Sequence, residues 1–182
     1  MRVITGTARG RKLRTLEGLE VRPTTDMVKE AMFSSIQFEV EGAQVLDLFA
    51  GSGQLGIEAL SRGARFCVFV DNTRKAQEVI LDNLQTTGLH RQARVANMDA
   101  LAFLQSTGEV FDIALLDPPY SQELLQKVLP LLARRMSDRG VILCESPYKE
   151  ELPQEAGDFR LYKSYRYGKI KLTAYRKQGE QP

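Results

Sequence analysis

At 182 residues, 43% hydrophobic, 26% charged and +2 net, the chain has the bulk and balance of one packed domain with a short appendage, and it holds no internal repeat or low-complexity stretch. No apolar run reaches the roughly 20 residues of a membrane span, and the charged N-terminus has no apolar leader segment, so a cytoplasmic protein without membrane association is expected. Two cysteines, Cys67 and Cys144, and a lone His90 offer no metal-ligand spacing; the thiols read as core packing in a reducing compartment, and no metal is expected.

Residues 1–16 read as a small hairpin or extended arm, with Arg2-Val-Ile-Thr and Arg11-Lys-Leu-Arg flanking a turn region from Gly6 to Gly10. Residues 1–22 are set apart as a basic N-terminal arm, since Arg2, Arg9, Arg11, Lys12, Arg14 and Arg22 meet only Glu17 and Glu20. Residues 23–182 form the main domain. Thr24-Thr25-Asp26 caps a helix running to about Phe38, with Val28, Met32, Phe33 and Ile36 on its apolar face. Strand and helix then alternate: strands at 45–49, 66–70, 93–97, 111–116 and 141–144, with helices at 54–62, 73–86, 99–105 and 122–134 between them. That rhythm specifies a parallel, doubly wound α/β sheet of Rossmann-like type. The tail departs from it, because residues 159–165 and 169–176 alternate about Tyr167-Gly168 and read as an antiparallel hairpin. Residues 159–177 hold seven basic residues and no acid, whereas the middle of the chain is net acidic. Basic ends around an acidic middle suit a polyanion bound outside a central pocket, although solvated edge strands account for the tail equally well.

At or just after the first four strands of the alternating region stand Asp47, Asp71, Asp99 and Asp117. In a parallel sheet all four line the carboxyl edge, where open α/β sheets bind ligands. Any one of them alone is an ordinary helix cap, Asp99 most of all. The first strand leads into Phe49-Ala-Gly51-Ser52-Gly53-Gln-Leu-Gly56, a G-x-G-x-x-G pattern with Asp71 twenty positions past Gly51, so a dinucleotide is one reading. Asp47 counts against it: a carboxylate there repels a diphosphate but suits an α-ammonium. A cofactor with an amino-acid end and a nucleoside end, S-adenosylmethionine, fits better. Its carboxylate would take the glycine-turn amides and its ammonium Asp47, directly or through water. Asp71 would accept the ribose hydroxyls and Asp99 the adenine amine.

The fourth strand ends in Asp117-Pro118-Pro119-Tyr120. Proline cannot continue a strand ladder, so the chain leaves the sheet there and presents a carboxylate, a proline carbonyl and a flat ring. Asp117 and the Pro118 carbonyl would accept the two N–H groups of an amine and free its lone pair for attack. Tyr120 would stack on an extruded base.

Asp47-Leu-Phe-Ala-Gly-Ser-Gly with Asp117-Pro-Pro-Tyr resembles the seven-stranded S-adenosylmethionine-dependent amino-methyltransferases. Arg22-Pro-Thr-Thr-Asp-Met-Val-Lys-Glu-Ala-Met-Phe, Arg9-Gly-Arg-Lys-Leu and Gly56-Ile-Glu-Ala-Leu-Ser-Arg are similar to the RsmD-type family, which methylates a guanine amine in bacterial 16S ribosomal RNA. The similarity runs from residue 2 to about residue 176. It implies sheet order 3-2-1-4-5-7-6 with strand seven antiparallel, a small N-terminal hairpin, a monomer, and ribosomal RNA as partner, naked or within a 30S subunit or assembly intermediate. It implies catalysis by Asp117, Pro118 and Tyr120. The implied cofactor site adds Phe49, Ser52, Asn72 and Met98 to Asp47, Gly51, Gly53, Asp71, Asp99 and Asp117. RNA contacts fall to Arg9, Arg11, Lys12, Arg22, Thr24 and Tyr120. Other readings stay open: an amino-methyltransferase for adenine or for protein glutamine, a nicotinamide-dependent oxidoreductase, or a non-catalytic RNA-binding module. The chain has no room for a separate groove-reading region, glutamine enzymes with this motif carry Asn at the position of Asp117, the oxidoreductase leaves Asp47 unexplained, and the binding module leaves all four aspartates unexplained.

Overall fold

The computed structural model describes residues 1–16, 25–119 and 122–179. Its elements run α1 (Thr25–Ser34), β1 (Gln44–Leu48), α2 (Gln54–Ser61), β2 (Phe66–Asp71), α3 (Arg74–Thr87), β3 (Ala93–Asn97), α4 (Ala100–Ser106), β4 (Phe111–Leu116), α5 (Gln122–Ala133) and β5 (Met136–Pro147). A two-residue β6 (Glu155–Ala156), β7 (Phe159–Tyr167) and β8 (Ile170–Lys177) complete the chain. All strands join one sheet in the order β3-β2-β1-β4-β5-β8-β7-β6. Pairing is parallel from β3 across to β5, and β8 runs antiparallel to both its neighbours. This is the expected order with one addition: β6 is an extra edge strand that shifts the numbers of the last two.

Both faces of the sheet are covered, so its central strands are apolar runs rather than alternations. The arm, α1, α2 and α3 close one face over Val3, Leu13, Phe33, Ile57 and Ile80. On the other face α4 and α5 pack over Phe103, Leu125, Leu129 and Tyr175. Capping sets the helix ends. Thr73 Oγ1 accepts from the Ala76 N–H at 3.1 Å to start α3, and Gly88 at φ +74° stops it.

Three expectations shift. The helix expected to reach Phe38 ends at Ser34, and the turn that follows leaves Phe38 93% exposed. The strand expected over 141–144 is the middle of a 12-residue β5, whose polar flanks hid a ladder made to β4 on one side and β8 on the other. The solvated-edge explanation of the basic tail fits β7 but not β8, which is interior. Arg176 there is buried and grips Glu39 through two hydrogen bonds of 2.7 and 2.9 Å.

The arm belongs to the core. Val3, Ala8 and Leu13 are buried, and main-chain bonds from Val3 to Arg11 (2.9 Å) and from Leu13 to Met1 (3.0 Å) close the hairpin. No described helix is long and apolar enough to cross a membrane, and the described residues hold no cluster of potential metal ligands.

Candidate active site at the carboxyl edge of the sheet

Because β3, β2, β1 and β4 are consecutive neighbours, the residues that follow them meet at one edge. The chain leaves β1 through Phe49, the one non-glycine residue with positive φ among those described, at +66°. A left-handed bulky residue costs roughly 1–2 kcal/mol and persists only where its surroundings impose it. Here the surroundings are hydrogen bonds to β2. The Ala50 N–H donates to Val70 O and the Gly51 N–H donates to Asp71 Oδ2, both at 2.9 Å.

Gly53, at φ +82°, is the N-cap of α2. Gly56 lets that helix lie against the sheet, because a Cβ there would come within 2.3 Å of Phe69 Cε1 and 2.7 Å of Cys67 Sγ. The carbonyl of buried Ser52 accepts from Asn83 Nδ2 at 2.9 Å, and its hydroxyl donates to Met1 Sδ at 3.5 Å. The amide oxygen Gln54 Oε1, in the first turn of α2, is buried with no hydrogen-bond partner among the described residues.

Asp47 lies beneath this loop. Only 1% exposed, it accepts the Gly56 N–H at 2.9 Å. Burial pushes its carboxyl well above the usual carboxylate range; the Gly56 bond opposes this, while the charges of Asp117 and Asp71 add to it. Asp47 thus feels both other acids, although the three come from three strands. Asp71 accepts from Gly51 on one oxygen and from the Thr73 N–H and Oγ1 on the other, at 3.0 and 3.1 Å. Its carbonyl takes the Met98 N–H at 3.1 Å, which ties the end of β3 to the same corner. Met98 is half-buried and Asn72 exposed. Asp99 caps α4 by accepting the Ala102 N–H at 3.1 Å. Asp117 is exposed one residue beyond β4, followed by half-buried Pro118.

Tyr120, Arg22 and Thr24 lie outside the described residues. Arg9, Arg11 and Lys12 are exposed on the arm. A cavity of about 620 Å³, lined by Phe38, Asp112, Arg139 and Arg176 among others, opens at the opposite, amino edge of the sheet and includes none of the site residues named above.

Two residues that sequence reasoning passed over hold the arm to this site. Glu58 of α2 is fully buried and accepts from the Ile4 and Thr5 N–H groups at 2.9 and 3.0 Å. It also pairs with Arg62 Nε at 2.9 Å and with buried Lys29 Nζ at 3.6 Å. Asn83 of α3 accepts the Arg14 N–H at 2.7 Å and donates to Arg14 O at 3.0 Å as well as to Ser52 O, so one side chain joins arm and glycine loop. The available signal was a polar residue on the apolar stripe of each helix.

The corner suits a ligand that carries both a cation and hydroxyl donors. The carboxylates that act on Asp47 and an amide oxygen with no described partner favour positive charge and N–H donors, and among the described residues a Cβ at Gly51 would meet only Leu16 Cδ1, at 3.9 Å. Comparison with known proteins finds relatives over nearly the whole chain. A family model described as conserved hypothetical protein 95 matches residues 1–176. The Bacillus subtilis protein named "Putative rRNA methyltransferase YlbH" is 40% identical over 98% of this chain and 100% of its own length. Ribosomal RNA small subunit methyltransferase D of Escherichia coli is 34% identical over 99% of this chain and 91% of its own. A solved structure described as "Putative methyltransferase yhhF from Escherichia coli" superposes with a TM-score of 0.88 at 35% identity, covering 99% of both chains.

Proposed function

The chain belongs to the conserved hypothetical protein 95 family, the RsmD-type methyltransferases, and from that premise we propose that it transfers a methyl group from S-adenosylmethionine to the exocyclic amine of a guanine in small-subunit ribosomal RNA. The observation that carries this reading is the convergence of Asp47, Asp71 and Asp117 on one corner beside the glycine turn. When bound, the cofactor supplies a methyl carbon already activated by its sulfonium. The protein's task is then alignment, which in well-oriented reactions is worth roughly 7–11 kcal/mol.

A guanine amine is a weak nucleophile because its lone pair is delocalised into the ring. Asp117 and the Pro118 carbonyl accept its two N–H groups, favour a pyramidal nitrogen and hold the freed lone pair in line. Asp117 can take the surplus proton once the new bond has formed. Tyr120 stacks on the base. Asp71 receives ribose hydroxyls, Asp99 or the neighbouring Met98 backbone faces adenine, and Phe49 and Asn72 flank the nucleoside. Asp47 serves the ammonium through water or the loop, since its carboxyl is buried under Gly56. Arg9, Arg11 and Lys12 supply phosphate contacts. Arg22 and Thr24, outside the described residues, are assigned to RNA contact by this reading alone. In this reading the protein is a cytoplasmic monomer that needs no metal and acts on naked RNA or an assembling 30S particle.

The test is methylation, with labelled cofactor, of ribosomal RNA from cells lacking the protein, followed by mapping of the modified base. A guanine N2 product is expected. Asp117→Ala should lower kcat at least about a hundredfold, as loss of a group aimed at developing charge does, with a much smaller effect on S-adenosylhomocysteine affinity. Turnover retained in that variant, or a product on another base, overturns the assignment.

A further inference from the structure

Resting on the methyltransferase reading, we infer that Tyr148 and Arg166 form a stacking platform that holds nucleotides of the RNA beside the extruded guanine. The sheet brings the two residues to the substrate side of the catalytic edge. Leu116 pairs with Cys144 in parallel register, and β5 continues past that level to Pro147. Tyr148 follows immediately. Its ring therefore belongs one strand across from Asp117 and three residues further out, about 5 Å sideways and roughly 10 Å beyond by strand geometry. That spacing matches a nucleotide next to, rather than in, the base pocket.

The platform is built rather than incidental. The Tyr148 N–H donates to Lys169 O at 2.7 Å, which ties the end of β5 to the turn between β7 and β8. Gly168, at φ +61°, closes that turn, and its carbonyl accepts Arg166 Nε at 3.0 Å. So held, the guanidinium carbon lies 3.8 Å from the centre of the Tyr148 ring. Lys171 Nζ also binds the Glu150 carbonyl and pins the loop that follows Tyr148. Yet Tyr148 remains 41% exposed, Arg166 is exposed, and neither Nη group of Arg166 bonds to any other described residue. A planar cation locked on an aromatic face, with its terminal N–H groups turned to solvent, is matched by a base for the stack and a phosphate for the fork.

Charge selects the partner. Residues 159–177 carry seven basic residues and no acid, and Arg160, Arg176 and Lys177 spend their charge on Glu155, Glu39 and Asp138. Arg166 has no acidic partner among the described residues. Single-stranded RNA offers both bases and phosphates, and stacking on an aromatic ring tolerates any sequence.

The experiment measures binding of the full chain to a labelled single-stranded RNA, with S-adenosylhomocysteine affinity by calorimetry as the control. Tyr148→Ala and Arg166→Ala should each weaken RNA binding about tenfold, the size typical of one lost base stack, with cofactor affinity unchanged. Tyr148→Phe should bind like the parent because it keeps the face. Arg166→Lys should weaken binding because it loses the plane. The salt slope of Arg166→Ala should fall by about one. Parental RNA affinity in both alanine variants overturns the platform. So does weakened binding to ribosomal particles with unchanged binding to naked RNA, which would mark a protein contact. Methylation of deficient ribosomal RNA by the wild type is measured alongside: if it fails, the methyltransferase reading fails, and if it succeeds while both variants bind normally, only the platform fails.

Discussion

Replacing Glu58 with alanine should unfasten the arm and strip the protein of a large share of its stability. The carboxylate is fully buried and serves four donors: two arm amides, Arg62 and Lys29. Lys29 is the costly one. It is 2% exposed, burial already lowers its pKa, and Glu58 is the main force resisting that fall. Removing one partner of a buried pair strands the other charge and costs about 3–5 kcal/mol. The half-buried Ile4 N–H adds about 1 kcal/mol as an unmet donor, whereas exposed Thr5 recovers its bond from water. The total, about 4–6 kcal/mol, is a major fraction of the 5–15 kcal/mol that ordinary domains have. Urea unfolding measures it, and hydrogen exchange at Ile4 and Thr5 locates it. Adding Lys29→Met to Glu58→Gln should recover at least about 2 kcal/mol by removing the stranded ammonium. A loss below about 1 kcal/mol for Glu58→Ala, or additivity in the cycle, would refute the assignment of Glu58 as the arm's anchor.

Gly56→Ala should cost about 3 kcal/mol, the upper range for overpacking, since the new methyl meets Phe69 and Cys67, both fully buried with nowhere to move; an unchanged urea midpoint would mean that α2 can slide off the sheet. Asp47→Asn should stabilise the ligand-free protein increasingly as pH rises from 3.8. The folded state raises the Asp47 pKa and so keeps a proton that the unfolded chain releases, which makes wild-type stability fall with pH across that window. The asparagine variant lacks the fall. Unfolding curves at acid and neutral pH measure the gap, and a gap independent of pH would show an ordinary carboxyl there. The same variant should bind S-adenosylhomocysteine more weakly.

The sheet was legible because its information is local and repeated. Apolar runs, glycine stops and threonine caps alternate from residue 43 onward, and each one names its own element. The edge acids were legible for the same reason, as each stands where a strand ends. What escaped depended on partners remote in sequence. Glu58 reads as a stray charge in an apolar helix until the arm folds back 54 residues to meet it. Asn83 reads as an ordinary helical polar residue until Arg14 and Ser52 reach it from two directions. The polar C-terminal end of β5, Glu145–Pro147, carried no strand pattern because a ladder to β8, formed last in the chain, pairs it. Setting residues 1–22 apart as an arm described their charge well, but charge says nothing about Val3, Ala8 and Leu13, which share the core of the first three helices.

The acid corner and the arm together explain why binding and stability pull against each other in this fold. Without a ligand, Asp47 is buried close to Asp71 and Asp117, an arrangement that raises its pKa and works against the folded state at neutral pH. The arrangement becomes favourable only when positive charge arrives, because a cation beside the corner lets the carboxyl ionise and repays the repulsion. The ligand's binding energy then flows into a loop already fixed on one side by Asp71 and on the other, through Asn83, by the arm. On the proposed function, a cofactor's positive charge should steady the arm that carries Arg9, Arg11 and Lys12, so cofactor and polyanion should each favour the binding of the other; equal RNA affinity with and without S-adenosylhomocysteine would refute this.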